Sequence, residues 1–207
     1  MTTQPTPDPA APVLPALGPA GYSIDMIRPD MRDIPQFPIP EGFAMRPMKP
    51  DENSLWVDIW RDAEPYFDIA DDTFTKSFGA DPAGIVQRCF ILNTAKGVSV
   101  GTISAWYDRK YRGVDYGRIH WVAIRQAYKG RGLGKVIMTY AMNQLAQWHD
   151  RAVLNTQSKR LNAVKLYLDF GFVPNLDLPG AIVAWREVAA GLKHPALEKL
   201  REEGCGL

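Results

Sequence analysis

Residues 126–136 read QAYKGRGLGKV and mark the point where a predicted β-strand is followed by a helix. Within this segment glycines alternate with cations, in the order Lys129, Gly130, Arg131, Gly132, Gly134 and Lys135. Glycine has no Cβ, so backbone N–H groups can approach a ligand closely. A helix that begins at about Leu133 adds its free N–H groups and the positive end of its dipole. The segment therefore predicts an anion site suited to a phosphate or diphosphate.

Two other phosphate-binding motifs fit this segment poorly. A P-loop places four residues between its first glycine and the Gly-Lys-Ser/Thr that follows. Here three residues separate Gly130 from Gly134, and Val136 stands where the Mg²⁺-binding hydroxyl is needed. A dinucleotide fingerprint reads G-x-G-x-x-G near the start of a βαβ unit, whereas these glycines read G-x-G-x-G late in the chain. A nucleotide-binding protein is therefore the least favoured alternative.

The composition narrows the class of protein. A chain of 207 residues, 46% of them hydrophobic, suits one domain with a tail. The net charge of +1 gives no global reason to expect nucleic acid or membrane binding. Cys89 and Cys205 lie far apart, so neither a disulfide framework nor a zinc site is expected, and no metal. The first basic residue is Arg28 and no apolar run reaches the length of a membrane span, so we expect a cytoplasmic protein.

Proline divides the chain into three parts. Ten of the seventeen prolines fall within the first forty residues, and residues 1–21 are also rich in alanine and almost uncharged, which predicts a disordered tail. Residues 22–42 combine prolines with apolar side chains and are predicted to form an irregular arm on the domain surface. The arm is also a candidate surface for a homodimer. The folded domain is predicted to cover residues 43–207.

The predicted order of elements indicates an α/β fold with a mixed sheet. Strands are expected at 43–48, 89–93, 98–108, 117–125, 152–155, 172–174 and 181–188, and helices at 53–60, 72–78, 82–88, 133–148, 161–170 and 195–203. A polar turn is expected at 109–116, and Gly171 is placed to end a helix in the left-handed conformation. In the strand 117–125, alternation predicts that Ile119, Trp121 and Ala123 share one face.

Two segments resemble signatures of the GNAT superfamily of N-acyltransferases. VAIRQAYKGRGLGKVIM, residues 122–138, resembles the segment that binds acyl-CoA, and AVKLYLDFGF, residues 163–172, is similar to the second signature. Lys129 stands where the family usually has Arg or Gln, and Arg160 where many members have Asn. The resemblance covers about residues 43–188. It implies a mostly antiparallel central sheet that is splayed between its fourth and fifth strands and flanked by helices.

The resemblance also implies a site for acetyl-CoA. The diphosphate would bind the N–H groups of residues 130–135, next to Lys129. The fourth strand would bulge near its end, where the backbone of Val122, Ala123 and Ile124 would hold the thioester carbonyl and its oxyanion. The pantetheine would lie between the splayed strands, with Asn155 near the opening.

Proton transfer residues follow from the same resemblance. Tyr167 matches the family tyrosine and is the candidate acid for the leaving thiolate. His120 precedes the bulge, where many relatives place Glu, and is the candidate base, because an imidazole titrates near neutral pH. A water chain is the alternative to His120, and ordinary packing is the alternative for both side chains.

The expected reaction is transfer of an acetyl or other short acyl group from acyl-CoA to an amine by direct attack in a ternary complex. Longer acyl groups are an alternative to acetyl, since the sequence does not define the depth of the cavity beyond Trp121 and Trp106. The acceptor is expected to contact residues 61–75, 107–116 and 174–181. Acidic residues in the first of these segments suggest a cationic amine. The alternative function is a non-catalytic acyl-CoA sensor or a module that docks a partner.

Overall fold

Eight strands form one sheet in the computed structural model, which describes residues 17–79 and 81–207. In chain order they are β1 (Leu17–Gly18), β2 (Gly21–Arg28), β3 (Phe43–Pro47), β4 (Cys89–Thr94), β5 (Ser99–Tyr111), β6 (Val114–Ile124), β7 (Ala152–Gln157) and β8 (Val173–Pro174). Their spatial order is β1-β2-β7-β6-β5-β4-β3, and β8 pairs with β2. Every pairing is antiparallel except β6 with β7. The predicted mixed, mostly antiparallel sheet is confirmed.

Helices cover both faces of this sheet. They are α1 (Asn53–Ala63), α2 (Thr73–Phe78), α3 (Pro82–Arg88), α4 (Leu133–Leu145), α5 (Leu161–Asp169), α6 (Ala181–Gly191) and α7 (Pro195–Glu202). Helices α4, α5 and α6 contribute to the larger core, whereas α1, α2 and α3 close a second core rich in tryptophan and phenylalanine. Within the described part of the chain, no helix is both long and apolar enough to cross a membrane.

The parallel strands β6 and β7 separate soon after they meet. They pair at Gly117 with Ala152 and at Arg118 with Val153. Beyond these pairs, β6 continues to Ile124 and β7 to Gln157 without pairing to each other. A wedge therefore opens between the fourth and fifth strands of the expected domain, as the resemblance implies. Backbone groups that line such a wedge need partners, and a ligand can provide them.

The prediction of an irregular arm over residues 22–42 is wrong for its first part. Residues 21–28 form β2, which pairs with β7 from Ser23 with Gln157 to Arg28 with Ala152. Ile24 and Met26 are buried in the larger core, while Asp25 lies on the other face, as strand alternation requires. The backbone of β2 pairs with β1, β7 and β8 of the same chain. The predicted tail lies mostly outside the described residues, which begin at Leu17.

The predicted strand at 181–188 is also wrong, because these residues form helix α6. Its buried side chains recur with helical spacing, at Ala181, Ala184, Trp185, Val188 and Ala189. The β-branched pair Ile182–Val183 favoured a strand, but Ile182 is exposed on the outer surface of the helix. The helix packs against β2.

The predicted polar turn at 109–116 is much shorter in the structure. β5 extends to Tyr111 and β6 begins at Val114, so only Arg112 and Gly113 connect the two strands. Both connecting residues have positive φ, 53° and 78°, which suits the twist of a two-residue hairpin. The charged side chains of this segment favoured a loop in the prediction, but they point to solvent from the two strands of a long hairpin.

Candidate active site

A β-bulge interrupts β6 at the edge of the wedge. Ala123 pairs with Thr102 and His120 pairs with Ser104, so Trp121 and Val122 together face the single residue Ile103. Trp121 has a φ of 53°, a conformation that is strained for a bulky L residue. The bulge therefore begins one residue before the position that the resemblance implied. Such strain in the backbone is typical of functional sites.

The bulge corrects the predicted facing of side chains. Ile119 packs in the larger core, while Trp121 and Ala123 belong to the aromatic core beneath α1. The extra residue places His120 and Trp121 on the same face: His120 lies 5.6 Å from the ring of Phe78, centroid to centroid. Simple alternation along 117–125 cannot show this inserted residue.

The glycine turn after β6 forms as predicted. Gly130 and Gly132 have φ of 78° and 76°, and Gly132 precedes the first residue of α4, Leu133. Side chains added at either glycine would meet no atom within 4 Å, so the turn faces open space. The N–H groups of residues 130–132 donate to no backbone carbonyl within the described chain. Free N–H groups at a helix start, without side chains in front of them, suit an anion.

The three cations of the turn have different surroundings. Lys129 donates to the Ala63 carbonyl at 3.0 Å, at the end of α1, and burial lowers its pKa. Arg131 lies against Tyr128, with its guanidinium carbon 4.9 Å from the ring centroid, and the Lys135 ammonium lies 5.0 Å from the ring of Phe37. Lys129 therefore joins α1 to the turn, and the other two cations lie beside it.

An outer cleft of about 460 Å³ runs from Lys129, beside this turn, along the bulge. It is lined by Trp60, Ala63, Pro65, Tyr66, Val122, Ala123, Ile124, Lys129, Lys159, Arg160, Leu161, Asn162 and Ala163. The volume is in the range of small-molecule and cofactor sites, about 300–1,000 Å³. The structure thus brings together four predicted residues, the bulge segment 122–124 and Lys129, on one wall.

An inner cavity of about 180 Å³ continues from the cleft into the wedge. It is lined by Trp60, Phe67, Arg118, Ile119, His120, Trp121, Val122, Asn155, Thr156, Gln157, Arg160, Ala163 and Tyr167. Trp60, Val122, Arg160 and Ala163 line both spaces, so the two adjoin. His120, Tyr167 and Asn155, which lie far apart in the sequence, therefore face one cavity.

His120 is neutral at physiological pH. Burial lowers its pKa to about 3, with a further decrease from the positive charge of Arg118. A neutral imidazole accepts a hydrogen bond, but a group with this pKa holds a proton weakly at pH 7. This differs from the near-neutral titration expected from the residue type alone.

Tyr167 projects from α5 into the inner cavity and is buried. Burial raises its pKa to about 12, so the hydroxyl stays protonated at neutral pH. It has no hydrogen-bond partner among the described residues, and it is therefore available to donate to a ligand. Asn155 is more constrained, because its amide nitrogen donates to Asp25 at 2.6 Å and to Ser23 at 2.9 Å.

A buried ion pair beside the cavity was not predicted from the sequence. The Arg160 guanidinium contacts the Glu64 carboxylate at 2.6 Å; the Glu64 side chain is 0% exposed and that of Arg160 17% exposed. Arg160 also donates to Gln157 and lies 5.0 Å from the ring of Tyr66. These contacts hold the segment after α1 over the cleft. No local pattern could reveal them, since 96 residues separate the partners.

The acidic segment 61–75, which the structure describes in full, contributes no carboxylate to the lining of the inner cavity. Besides Glu64, two of its carboxylates pair with cations of the same region, namely Asp71 with Arg61 at 2.7 Å and Asp72 with Lys76 at 2.8 Å. No Asp or Glu is among the residues that line the inner cavity in the part of the chain that the structure describes. The suggested attraction of a cationic amine by this segment is therefore not supported.

Structural comparison places this fold among known acetyltransferases. A GCN5-related N-acetyltransferase from Sphaerobacter thermophilus is 17% identical, with a TM-score of 0.57 over 74% of this chain and 48% of that chain. A GNAT-family acetyltransferase from Colwellia psychrerythraea is 16% identical, with a TM-score of 0.57 over 74% of this chain and 52% of that chain. The chain thus spans about half the length of these two proteins. At such identities the similarity shows the fold alone.

A third structure was determined with ligands. Diaminobutyrate acetyltransferase EctA from Paenibacillus lautus, in complex with L-2,4-diaminobutyric acid and coenzyme A, is 19% identical, with a TM-score of 0.50 over 62% of this chain and 74% of that chain. No curated protein matches the sequence. The sequence model of the acetyltransferase (GNAT) family, however, matches residues 49–172, which is more than half of the chain. This match includes the glycine turn, the bulge and Tyr167, and the chain belongs to the GNAT acetyltransferase family.

Proposed function

We propose that the protein transfers an acetyl or other short acyl group from acyl-CoA to an amine, by direct attack in a ternary complex. The observation that carries this proposal is the continuity of one space. Lys129 beside the glycine turn, the bulged segment 122–124, and the side chains of Tyr167 and His120 line two adjoining spaces. A donor and an acceptor can therefore meet directly in the wedge.

The turn and cleft fit coenzyme A in the chemistry that they offer. The diphosphate would bind the N–H groups of residues 130–135, with Arg131 and Lys135 supplying positive charge. The unpaired edge of β6 after Arg118 offers backbone groups to the amides of pantetheine, as an added strand would. Coenzyme A in the EctA complex is consistent with such a site.

The bulge would stabilise the reacting carbonyl. As the amine nitrogen attacks, negative charge develops on the carbonyl oxygen of the thioester. Backbone N–H groups at 122–124 would donate to this oxygen in a site that excludes water, where such hydrogen bonds are strong. Trp121 holds this backbone in position, because its ring lies 4.7 Å from Trp60 and 5.0 Å from Trp56, centroid to centroid.

His120 and Tyr167 would handle the protons. Neutral His120 accepts a hydrogen bond from the attacking amine and takes up the proton that the amine releases. Because the pKa of His120 is low, the imidazole then gives this proton to water. The carbon–sulfur bond then breaks, and Tyr167 donates a hydrogen bond to the sulfur as it becomes a thiolate. With a pKa of about 12, Tyr167 acts first as a hydrogen-bond donor, since the thiol is the stronger acid.

The aromatic core favours a short acyl group. Trp121 is packed between Trp56 and Trp60, and Trp106 contacts Phe78 at 5.0 Å and Tyr107 at 5.1 Å, centroid to centroid. These rings fill the space beyond the bulge that a longer chain would need. We therefore expect acetyl-CoA to be a better donor than an acyl-CoA with eight carbons in the acyl group.

The proposal is tested by ligand-induced stabilisation followed by turnover. A ligand at one hundred times its dissociation constant stabilises by about 2.7 kcal/mol, which raises the Tm of a chain of this size by about 5–10 °C. We expect this shift with coenzyme A and acetyl-CoA and none with NAD or ATP. Thiol release with a panel of amines then distinguishes a transferase from a sensor, which binds acetyl-CoA without releasing coenzyme A.

A further inference from the structure

The inner cavity has the charge pattern of a site for an anion-bearing acceptor. Among the described residues that line this cavity, the only charged side chains are those of Arg118 and Arg160. Arg160 is already paired with the buried Glu64 and bonded to Gln157. Arg118 is the group that is less completely paired.

Arg118 lies at the closed end of the wedge. It belongs to the last residue pair between β6 and β7, and its side chain is 31% exposed. Alternation on β6 places it on the same face as His120, two residues later. A guanidinium carries five N–H donors. One donates to Asp108 at 3.2 Å, while the buried Nε of Arg118 has no hydrogen-bond partner among the described residues.

The inner cavity has no carboxylate among its lining residues in the described part of the chain. Its lining includes side chains that donate hydrogen bonds, among them Arg118 and Tyr167. An acceptor that carries a carboxylate would therefore meet donors and no competing negative charge on this wall.

We propose, on the basis of the function proposed above, that the acceptor is a small amino acid whose carboxylate binds Arg118 while its amine faces His120. The planar guanidinium matches a carboxylate with two parallel hydrogen bonds. The inner cavity, of about 180 Å³, is smaller than the outer cleft and favours a compact acceptor such as a free amino acid. Asp108 shares the guanidinium and weakens the attraction for the substrate.

The experiment compares L-amino acids with their own carboxamides as acceptors, using acetyl-CoA and thiol release. The carboxamide has the same amine and side chain but lacks the negative charge. We expect the best amino acid to exceed its carboxamide at least about tenfold in kcat/KM, mainly through KM. Arg118→Gln is expected to raise KM for the amino acid about 10–100-fold and to leave KM for the carboxamide within about twofold.

Two further variants keep the test independent of misfolding. Asp108→Asn frees the Arg118 guanidinium and is expected to lower KM for the amino acid by about two- to fivefold. Arg32→Gln is the matched control, because Arg32 is an exposed guanidinium paired with Asp30 at 3.1 Å and lies outside the segments expected to contact the acceptor. It is expected to change neither KM.

The outcomes separate this inference from the proposed function. A protein that acetylates carboxamides and amino acids equally well, or loses both equally in Arg118→Gln, overturns the inference and keeps the transferase. If no acceptor is turned over, the same amino acids are titrated calorimetrically onto the protein saturated with coenzyme A, and the absence of binding also overturns the inference. Failure to bind coenzyme A overturns the proposed function itself.

Discussion

Breaking the ion pair between Glu64 and Arg160 is expected to lower the stability of the fold, because both side chains are largely buried. Its carboxylate is 0% exposed and its guanidinium 17% exposed, at a distance of 2.6 Å. Removing one partner of a buried pair leaves the other charge without compensation, at a cost of about 3–5 kcal/mol. Glu64→Gln keeps the shape and one acceptor oxygen, so we expect the lower end, about 3 kcal/mol. For a chain of this size that corresponds to a decrease in Tm of about 6–12 °C.

A second pair of the same chemistry provides the control. Asp177 contacts Arg112 at 2.8 Å, but the side chains are 69% and 50% exposed. Water screens such a pair, so Asp177→Asn is expected to cost less than about 1 kcal/mol. Both variants are compared with the unmodified protein by urea unfolding at pH 7 and by thermal unfolding followed by circular dichroism.

A double variant tests whether the loss of stability comes from the unpaired charge. In Glu64→Leu with Arg160→Met, both charges are replaced by apolar side chains, and stability is expected to recover to within about 1 kcal/mol of the unmodified protein. The reasoning is refuted if Glu64→Gln and Asp177→Asn lower Tm by the same amount. It is also refuted if the double variant is less stable than Glu64→Gln alone.

Three further predictions concern the site. Tyr167→Phe should lower kcat about 10²-fold or more while leaving Tm within about 3 °C, and a change in rate below threefold would remove its proposed role. Gly132→Ala should cost about 1–2 kcal/mol, because its φ is 76°, and should weaken coenzyme A binding; Gly113→Ala, at a φ of 78° in the β5–β6 hairpin, should cost as much without affecting binding. The pKa of His120 is lowered to about 3 in the folded protein, so the unfolded chain binds the extra proton below pH 6.5. The contribution of His120 to the free energy of unfolding is therefore fully present above pH 6.5 and is lost as the pH falls toward 3. Between these values the free energy of unfolding should fall by up to about 1.4 kcal/mol per pH unit, and His120→Gln should abolish this dependence in urea unfolding.

Local features of the site were predictable from the sequence. The glycine turn depends on residues within one short segment, and Gly130 and Gly132 adopt the positive φ that only glycine accepts readily. Gly171 ends α5 with a φ of 75°, as its position after the apolar stripe indicated. In both places the conformation is determined by neighbours along the chain.

Features that depend on distant residues were not predictable. The strand β2 was interpreted as an irregular arm because its partner, β7, lies 134 residues further along the chain at the pair Ser23 with Gln157. Pairing over such a separation leaves no periodic signal beyond alternation, which the flanking prolines obscured. The contact between Glu64 and Arg160, which are 96 residues apart, escaped prediction for the same reason. The bulge in β6 was expected from the family resemblance, but it begins one residue earlier than expected, at Trp121.

A crystal structure of the protein with coenzyme A tests the central claim most directly, because the claim concerns where the diphosphate and the sulfur lie. The account predicts diphosphate oxygens within about 2.7–3.2 Å of the backbone nitrogens of residues 130–135. It also predicts the sulfur in the wedge between β6 and β7, next to Tyr167. Coenzyme A bound at another surface, with the turn and the wedge filled by solvent, would contradict it.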